Sequence, residues 1–402
     1  MDQLLTGIRV LDLSRMLAGP YGTMLLGDLG AEIIKIEDHA GDFTRAGGQG
    51  TFQGLGDYFM SINSNKKSVV LDLKQPRGKE IFYDLVKVSD VVYDNMRPKA
   101  LKGLKVDFDD LVKHNPKIIS CSLSGYGHTG PYQDLPSFDL IVQAMGGGMS
   151  VTGEKGGAPV RMGYPLGDLA GGMFSALAIV SAIVHRDRTG KGQKIDTSLL
   201  DGQVSMSTYL TAYLFRRQNW VPGPQGSQHE TIVPYEAFKT KDIYIVVACV
   251  TPKFWEGLCR ALDLPELIKD ERFLDGGKRI QNHDALVAIL RERFLTKTCD
   301  EWLDLLEKEQ VPRAPVNTLD RVVRDPQVLA RNMVPTLENP KIGKINLAGN
   351  PIKTPGLDEV YNFPPRLGEH TAEVLKGLIK LSDEEIQRLA AEKVIGLAKE
   401  ME

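Results

Sequence analysis

The first half of the chain alternates short apolar runs with longer amphipathic stretches. The apolar runs predict six strands, at residues 7–13, 31–36, 68–73, 90–93, 118–123 and 193–197. Helices are predicted between them. Two of these begin at Pro20 and Pro76, because proline has no backbone N–H to lose in the first turn of a helix. Strands and helices alternating in this order predict a parallel, doubly wound, Rossmann-like α/β sheet.

The longest predicted helix covers residues 169–185, directly after Asp168. A helix N-terminus favours a negative charge, so Asp168 is a candidate carboxylate nucleophile, and Gly171 and Gly172 would leave room for a bulky ligand. The alternative interpretation is an N-cap aspartate followed by glycines that allow close helix packing. The apolar part of the helix, residues 173–184, is shorter than a bilayer requires. We therefore expect a buried core helix and no membrane partner.

The pattern changes near residue 220, where a Pro- and Gly-rich segment at 220–227 is typical of a linker. A second Pro-rich zone covers residues 312–365. Between the two lie a strand at 244–248 and amphipathic helices, one of which begins with a capping box at Thr298; a similar box at Ser382 begins a C-terminal helix. The sequence therefore predicts a large domain formed by both ends of the chain, with a smaller α+β domain inserted. The predicted limits are 1–220 for the N-terminal part, 221–315 for the small domain and 316–402 for the linker and C-terminal part.

Composition and charge narrow the function classes. The formal net charge of the 402 residues is −3, which gives no basic footprint and argues against nucleic acid as a partner. The four cysteines form no Cys-x-x-Cys motif and no metal-like pair with histidine, so we expect buried thiols, no metal and a reducing, cytoplasmic setting. The N-terminus has no basic region typical of a signal peptide. No G-x-G-x-x-G follows the first strand, so NAD binding is not supported.

A series of short motifs runs through nearly the whole chain in one order. The motifs lie at residues 7–12, 18–20, 29–37, 41–42, 63–68, 125–131, 167–168, 189–193, 234–235 and 367–371. Each motif alone is weak, but together they resemble the class III CoA-transferases. This is the family of formyl-CoA transferase and carnitine CoA-transferase, and it also contains α-methylacyl-CoA racemase.

The resemblance implies a covalent mechanism at Asp168. In the family, this aspartate attacks the donor acyl-CoA thioester, which gives a mixed anhydride and free CoA thiolate. The thiolate then attacks the aspartyl carbonyl, releases the donor acid and leaves an aspartyl-CoA thioester, which an acceptor carboxylate resolves by the reverse steps. Coenzyme A is thus expected as a co-substrate, without a metal. The resemblance also implies an interlocked dimer.

The resemblance further implies CoA-binding residues on the large domain. The candidates are Leu71, Lys74, Asn95, Met96 and Ala100, with the alternative that they merely end strands. Two arginines that contact the CoA nucleotide in formyl-CoA transferase are replaced here by Asp38 and Gly103. We expect His39 and either Lys102 or Lys105 to take over their stacking and phosphate pairing. A tyrosine before the active-site loop is kept as Tyr58, for which a core position is an equal alternative.

Within the family, the sequence is most similar to members that move CoA from succinyl-CoA to another dicarboxylate, which implies the same substrate class here. Arg15 is suited to pair the remote carboxylate of a dicarboxylate such as succinyl-CoA, although a surface salt bridge is the alternative. Met16, Leu17 and Phe138 are expected to form an apolar wall that tolerates an aryl-substituted acceptor. Leu17 replaces the glutamine of formyl-CoA transferase, so an oxalate pocket is not expected. Phe138 replaces the histidine of the racemases and cannot act as a base, which disfavours the alternative of an acyl-CoA isomerase. A subunit of a heteromeric transferase stays a further alternative.

Overall fold

The chain folds into two compact units in the computed structural model, which describes residues 3–46, 50–52 and 54–398. The first unit comprises Met1–Gly148, Arg161–Gln218 and Leu329–Glu402, and the second comprises Met149–Val160 and Asn219–Val328. The domain limits predicted above, near 220 and 315, stay a prediction.

Short strands alternate with helices through residues 9–216. The strands are β1 (Arg9–Asp12), β2 (Glu32–Glu37), β3 (Thr51–Phe52), β4 (Leu55–Gly56), β5 (Lys66–Leu71), β6 (Val91–Asp94), β7 (Ile119–Ser124) and β8 (Lys194–Ser198). The helices are α1 (Ala18–Asp28), α2 (Asp57–Ser61), α3 (Pro76–Lys87), α4 (Pro98–Leu104), α5 (Phe108–Leu111), α6 (Asp139–Met145), α7 (Leu166–Thr189), α8 (Leu199–Met206) and α9 (Thr208–Arg216). Each predicted strand lies within two residues of an observed one at both ends.

A three-stranded antiparallel sheet and several helices follow in the middle of the chain. The strands are β9 (Tyr235–Lys239), β10 (Tyr244–Ala248) and β11 (Arg313–Pro315), in the order β11-β10-β9. The helices are α10 (Pro252–Ala261), α11 (Gly276–Gln281), α12 (His283–Phe294), α13 (Cys299–Lys308), α14 (Leu319–Val322) and α15 (Pro326–Ala330). The strand predicted at 244–248 and the capping box at Thr298 are confirmed.

The C-terminal segment returns to the first unit. Its elements are β12 (Thr336–Asn339), β13 (Gly343–Asn346), α16 (Thr371–Ile379), α17 (Asp383–Ala391) and β14 (Ile395–Gly396). Ser382 accepts a hydrogen bond from the Glu385 N–H, which confirms the first of the two hydrogen bonds of the second predicted box. Strand β14 pairs antiparallel with β5 and so adds this last segment to the large sheet.

The large sheet has seven strands in the order β14-β5-β2-β1-β6-β7-β8. All neighbouring pairs are parallel except β14 with β5, so the predicted α/β fold with a parallel-dominated sheet is confirmed. The chain builds outward from β1 through β2 to β5, then returns to β6 on the other side of β1. In open α/β sheets ligands bind in a crevice at such a reversal of strand order, which here falls at the carboxyl ends of β1 and β6.

Helix α7 is longer than predicted, because its 24 residues begin at Leu166 and end at Thr189. In the part of the chain that the structure describes, it alone is long and apolar enough to cross a membrane. We predicted that the apolar part of this helix, residues 173–184, is too short to cross a bilayer. The whole helix is not too short. Half of its most apolar 18-residue segment is buried inside the protein, and the core helix of a globular protein can have the same length and composition. Length and composition are thus weak grounds for a membrane span.

The glycines of α7 allow it to pack closely against neighbouring elements. A Cβ atom at Gly172 would lie 2.5 Å from the carbonyl oxygen of Ala18, and one at Gly22 would lie 2.7 Å from that of Gly172. A Cβ at Gly171 would lie 2.6 Å from Cδ2 of Leu199. A side chain at Gly172 would collide with α1, one at Gly171 with Leu199 of α8, and one at Gly22 of α1 with α7. The glycines therefore serve helix packing, which was the alternative to ligand access.

Candidate active site

Asp168 lies in the first turn of α7 and is not the N-cap, which is Pro165. The carboxylate of Asp139, at the start of α6, takes the capping position instead. Its Oδ1 accepts hydrogen bonds from the backbone N–H of Gly167 at 2.9 Å and of Asp168 at 3.3 Å. These are two of the N–H groups that the first turn of a helix leaves without an intrahelical partner. The N-cap interpretation of Asp168 is therefore wrong.

The carboxylate of Asp168 is left available for chemistry. Within residues 3–46, 50–52 and 54–398, no side chain or backbone N–H donates a hydrogen bond to it, although the residue is half-buried. Burial first, and then the negative charge of Asp139, raise the pKa of Asp168 to about 7. A carboxylate with a pKa near neutrality is more basic than an ordinary one, and it is largely ionised about one pH unit above its pKa. Such a group suits nucleophilic attack.

Asp139 is itself held in place by Gln143, one turn later on α6. The Gln143 Nε2 donates to Asp139 Oδ2 at 2.6 Å, and the Gln143 Oε1 accepts from the backbone N–H of Met162 at 2.9 Å. The Gln143 side chain is fully buried. Sequence reasoning missed both residues. Their signal was a pair of polar residues at i and i+4, which share one face of a helix.

Tyr58, predicted near the site, lies on α2 and is half-buried. Burial raises its pKa, and the negative charges of Asp168, Asp42 and Asp139 raise it further. The structure therefore brings Tyr58 and Asp168 close enough to interact. It also places Asp42 near Tyr58, and the sequence did not single out Asp42 as a site residue.

The loop after β1 is fixed by hydrogen bonds between its backbone and surrounding side chains. The N–H of Arg15 donates to Oδ1 of Asn95 at 2.9 Å, and Nδ2 of Asn95 donates to the Arg15 carbonyl at 2.7 Å. Lys35 Nζ donates to the carbonyl of Ser14 at 2.7 Å. Met16 has a φ of 68°, a left-handed conformation that is costly for a side chain of this kind. Surrounding structure thus holds this loop in one strained conformation at the β1/β6 crevice.

The Arg15 guanidinium pairs with Asp38. Its Nη2 lies 2.8 Å from Asp38 Oδ2, and both side chains are nearly half exposed. The surface ion pair considered above is therefore present, and it uses only one of the five N–H donors of the guanidinium. The role of Arg15 in substrate binding stays a prediction.

The three residues of the predicted apolar wall differ in exposure. Leu17 is in the core, Met16 is half-buried, and Phe138 is 66% exposed. Phe138 precedes Asp139 at the start of α6, so it is the chain neighbour of the residue that caps the helix of Asp168. Of the three, Phe138 presents the accessible apolar surface.

The predicted CoA-binding residues follow the carboxyl ends of β2, β5 and β6, on the edge of the sheet that carries the crevice. Lys74, Ala100 and Lys102 are exposed and Met96 is half-buried, whereas Leu71 is a core residue of β5. The side-chain amide of Asn95 is already engaged by the backbone of Arg15. The Nε2–H of His39 donates a hydrogen bond to the carbonyl of Lys393 at 2.8 Å. The exposed His39 ring also lines a cleft of about 580 Å³ in the first unit. Direct contacts of these residues with CoA stay a prediction.

Buried ion pairs support the loops around the site. Lys35 and Asp42 lie 3.0 Å apart, and Lys66 and Asp12 lie 3.2 Å apart, with all four side chains fully buried. Burial lowers the pKa of Lys66 to about 8. Among the described residues, no three or more His, Cys, Asp or Glu side chains gather as they would around a metal ion. A metal-free site stays a prediction.

Residues 5–371 match the family model described as CoA-transferase family III. Succinyl-CoA:glutarate CoA-transferase of Mus musculus is 40% identical over 397 residues, which cover 97% of this chain and 90% of the relative. Succinyl-CoA:mesaconate CoA-transferase of Haloarcula hispanica is 38% identical over 381 residues, which cover 92% of this chain and 95% of the relative. The crystal structure of a CAIB/BAIF family protein from Brucella suis superposes with a TM-score of 0.84 at 35% identity, over 94% of this chain and all of that one.

Proposed function

The chain belongs to CoA-transferase family III and is an enzyme that transfers CoA, and from that premise we propose that it moves CoA from succinyl-CoA to a dicarboxylic acid through covalent intermediates on Asp168. The observation that carries the proposal is the carboxylate of Asp168. It lies in the first turn of a long helix, accepts no hydrogen bond from the described residues, and has a pKa near 7.

The proposed reaction has four balanced steps at one carboxylate. Asp168 attacks the thioester carbonyl of succinyl-CoA and forms a mixed anhydride as the C–S bond breaks and CoA thiolate leaves. The thiolate attacks the aspartyl carbonyl, which forms an aspartyl-CoA thioester and releases succinate. The acceptor carboxylate then attacks this thioester, which gives a second mixed anhydride and thiolate. Attack of the thiolate on the acceptor's acyl carbon yields the new acyl-CoA and restores Asp168.

A carboxylate nucleophile suits this exchange because both intermediates stay activated. An anhydride and a thioester each retain a good leaving group, whereas a serine ester would lose that activation. Dividing one exchange into easier steps is the general advantage of covalent catalysis. The raised pKa of Asp168 adds basicity to the attacking oxygen.

A dicarboxylate acceptor is supported by the names of two relatives and by one side chain. Glutarate and mesaconate, in the names of the mouse and archaeal relatives, are both dicarboxylates. Arg15 offers a half-exposed guanidinium beside the crevice, which is suited to bidentate carboxylate pairing. The exposed ring of Phe138 favours an acceptor with an apolar or aryl substituent. It also offers no base for the alternative of α-carbon isomerisation.

The direct test is a transfer assay with the purified chain. Succinyl-CoA is supplied with glutarate, an aryl-substituted succinate, oxalate or acetate, and the acyl-CoA products are separated and identified. We expect new CoA esters of the dicarboxylates, and none with Asp168→Asn. Deuterium exchange at the α-carbon of an acyl-CoA without CoA transfer would instead support the isomerase. Activity that appears only after a second, different chain is added would support the heteromer.

A further inference from the structure

A partly buried network of hydrogen bonds connects the first turn of α7 to the loop that precedes it. The backbone N–H groups of Gly167 and Asp168 donate to Asp139 Oδ1, at 2.9 and 3.3 Å. Gln143 Nε2 donates to the other oxygen of Asp139 at 2.6 Å, and Met162 N–H donates to Gln143 Oε1 at 2.9 Å. Every donor in this network faces an acceptor, so its neighbours determine whether each side-chain atom donates or accepts a hydrogen bond.

This hydrogen-bond network leaves the side chains of Asp139 and Gln143 little freedom to move. Gln143 is fully buried, and both ends of its amide are engaged. Oxygen Oδ1 of Asp139 lies 3.0 Å from where a Cβ of Gly167 would be, and Cγ2 of Val142 lies 2.7 Å from the same point. Removing one partner would leave a buried polar group without a hydrogen bond, which costs more than the bond itself contributes.

Asp139 also supplies a charge beside the nucleophile. The titratable groups near Asp168 are Asp139 on α6 and Tyr58 on α2. Asp42, in the loop after β2, acts on Tyr58. Tyr21 of α1 packs against Gly172, one turn further along α7, and α8 contacts α7 through Leu199 and the uncharged Gln203. Among these groups, Asp139 is the carboxylate that is hydrogen-bonded to the backbone of Asp168.

We propose that Asp139 and Gln143 are positioning residues for Asp168, which together fix the first turn of α7 to the loop at Met162 and keep a second negative charge beside the nucleophile. The inference rests on the proposed function, because it assigns these residues a role in the reactivity of Asp168. Gln143 acts through Asp139 and touches no substrate. Its part is to orient the carboxylate of Asp139 and to hold the loop.

The order of donors and acceptors in this network allows a sharp test, in which two substitutions together move the negative charge from position 139 to position 143. Asp139→Asn keeps an acceptor for the α7 N–H groups, but its amide would point a donor at the donor of Gln143. Gln143→Glu places two carboxylates 2.6 Å apart, where they cannot both ionise. The double variant Asp139→Asn with Gln143→Glu restores a donor and an acceptor at every contact. Its new carboxylate at position 143 accepts from both the new amide at position 139 and the Met162 N–H. The double substitution moves the charge one turn away from Asp168.

The measurement is kcat/KM for CoA transfer between pH 5 and 9 in the wild type, both single variants and the double variant. We expect each single variant to lose about 10-fold or more in kcat/KM at pH 8. The double variant should recover part of that loss, because its hydrogen bonds are restored although its charge has moved. In the double variant the acidic limb of the profile should lie at lower pH than in the wild type, by about one unit. Additive losses in the double variant, or an unchanged acidic limb, would overturn the proposal.

A second readout separates this proposal from the proposed function. The wild type is incubated with succinyl-CoA and hydroxylamine, and the peptide that contains Asp168 is examined for a hydroxamate. Absence of the adduct in the wild type would overturn the proposed function. Its presence in the wild type, together with no recovery in the double variant, would overturn the positioning role alone.

Discussion

At the scale of single residues, Asp168 is a carboxylate whose surroundings favour its neutral form. Burial and the charge of Asp139 raise its pKa from 3.8 to about 7. Between these two values the folded chain binds more protons than the unfolded chain, so stability falls as the pH rises from about 4 to 7 and stays lower above it. The active-site charge therefore reduces stability at the pH where it reacts, which is a common cost of function.

Replacing Asp168 by Asn should stabilise the folded chain at alkaline pH. The amide keeps the shape but not the charge, so we expect Tm to rise by about 2 °C at pH 8 and the gain to vanish toward pH 4. Thermal unfolding followed by circular dichroism over this pH range measures the effect. The control is Asp134→Asn, at an exposed position. A gain that is the same at pH 4 and pH 8, or a loss of Tm at pH 8, would contradict the assignment.

Arg15 tests the substrate class. If its guanidinium pairs the remote carboxylate, Arg15→Ala should raise KM for succinyl-CoA or the acceptor and lower kcat/KM by about 10- to 150-fold. A monocarboxylate substrate should respond little. Asp38→Asn, which removes the partner of the guanidinium, is the matched control and should have a smaller effect. Equal turnover of oxalate and succinate, with no response to Arg15→Ala, would rule out the dicarboxylate while leaving CoA transfer intact.

At the scale of elements, the strands were predictable because parallel strands buried on both faces are continuous apolar runs. The start of α7 was not predictable, since the glycines at 167, 171 and 172 have low helix propensity. Their packing against α6, α8 and α1 explains them, and it exists only in the folded chain. Asp168 was found from its position in a motif. Asp139, 29 residues earlier, was not found, because it meets α7 only in the folded chain.

The α1–α7 contact gives an element-scale prediction. In Gly172→Ala the new Cβ would lie 2.5 Å from the Ala18 carbonyl oxygen, a backbone atom that cannot move away alone. We expect a loss of about 1–3 kcal/mol in the free energy of unfolding, measured by urea titration. Gly377→Ala on α16 is the control, since its Cβ would meet no atom within 4 Å and should be neutral or stabilising. Equal stability of the two variants would contradict the packing.

At the scale of the whole molecule, helices α6 to α9 expose much apolar surface. Phe138, Leu177 and Phe215 are 66%, 62% and 84% exposed, and no residue of α9 is buried. Exposed apolar patches of this kind mark interaction surfaces. This surface is consistent with the interlocked dimer that the family resemblance predicts.

We expect the purified chain to be a dimer that does not dissociate on dilution. An interlocked interface should bury more than about 2,000 Å², and Phe215→Glu together with Leu177→Glu should weaken or abolish assembly. Light scattering at micromolar and lower concentrations measures the mass. A monomer would contradict the dimer, and a dimer formed only with a different chain would favour the heteromeric alternative.

Covalent acylation of Asp168 is the step on which the proposed transfer depends, and direct detection of that bond is its closest test. The chain is mixed with succinyl-CoA, trapped with hydroxylamine, digested, and analysed by mass spectrometry. We predict a hydroxamate on the peptide that contains Asp168, formed only when the CoA ester is present, with parallel loss of transfer activity. An unmodified Asp168 in enzyme that still transfers CoA, or a hydroxamate on a different residue, would contradict the mechanism.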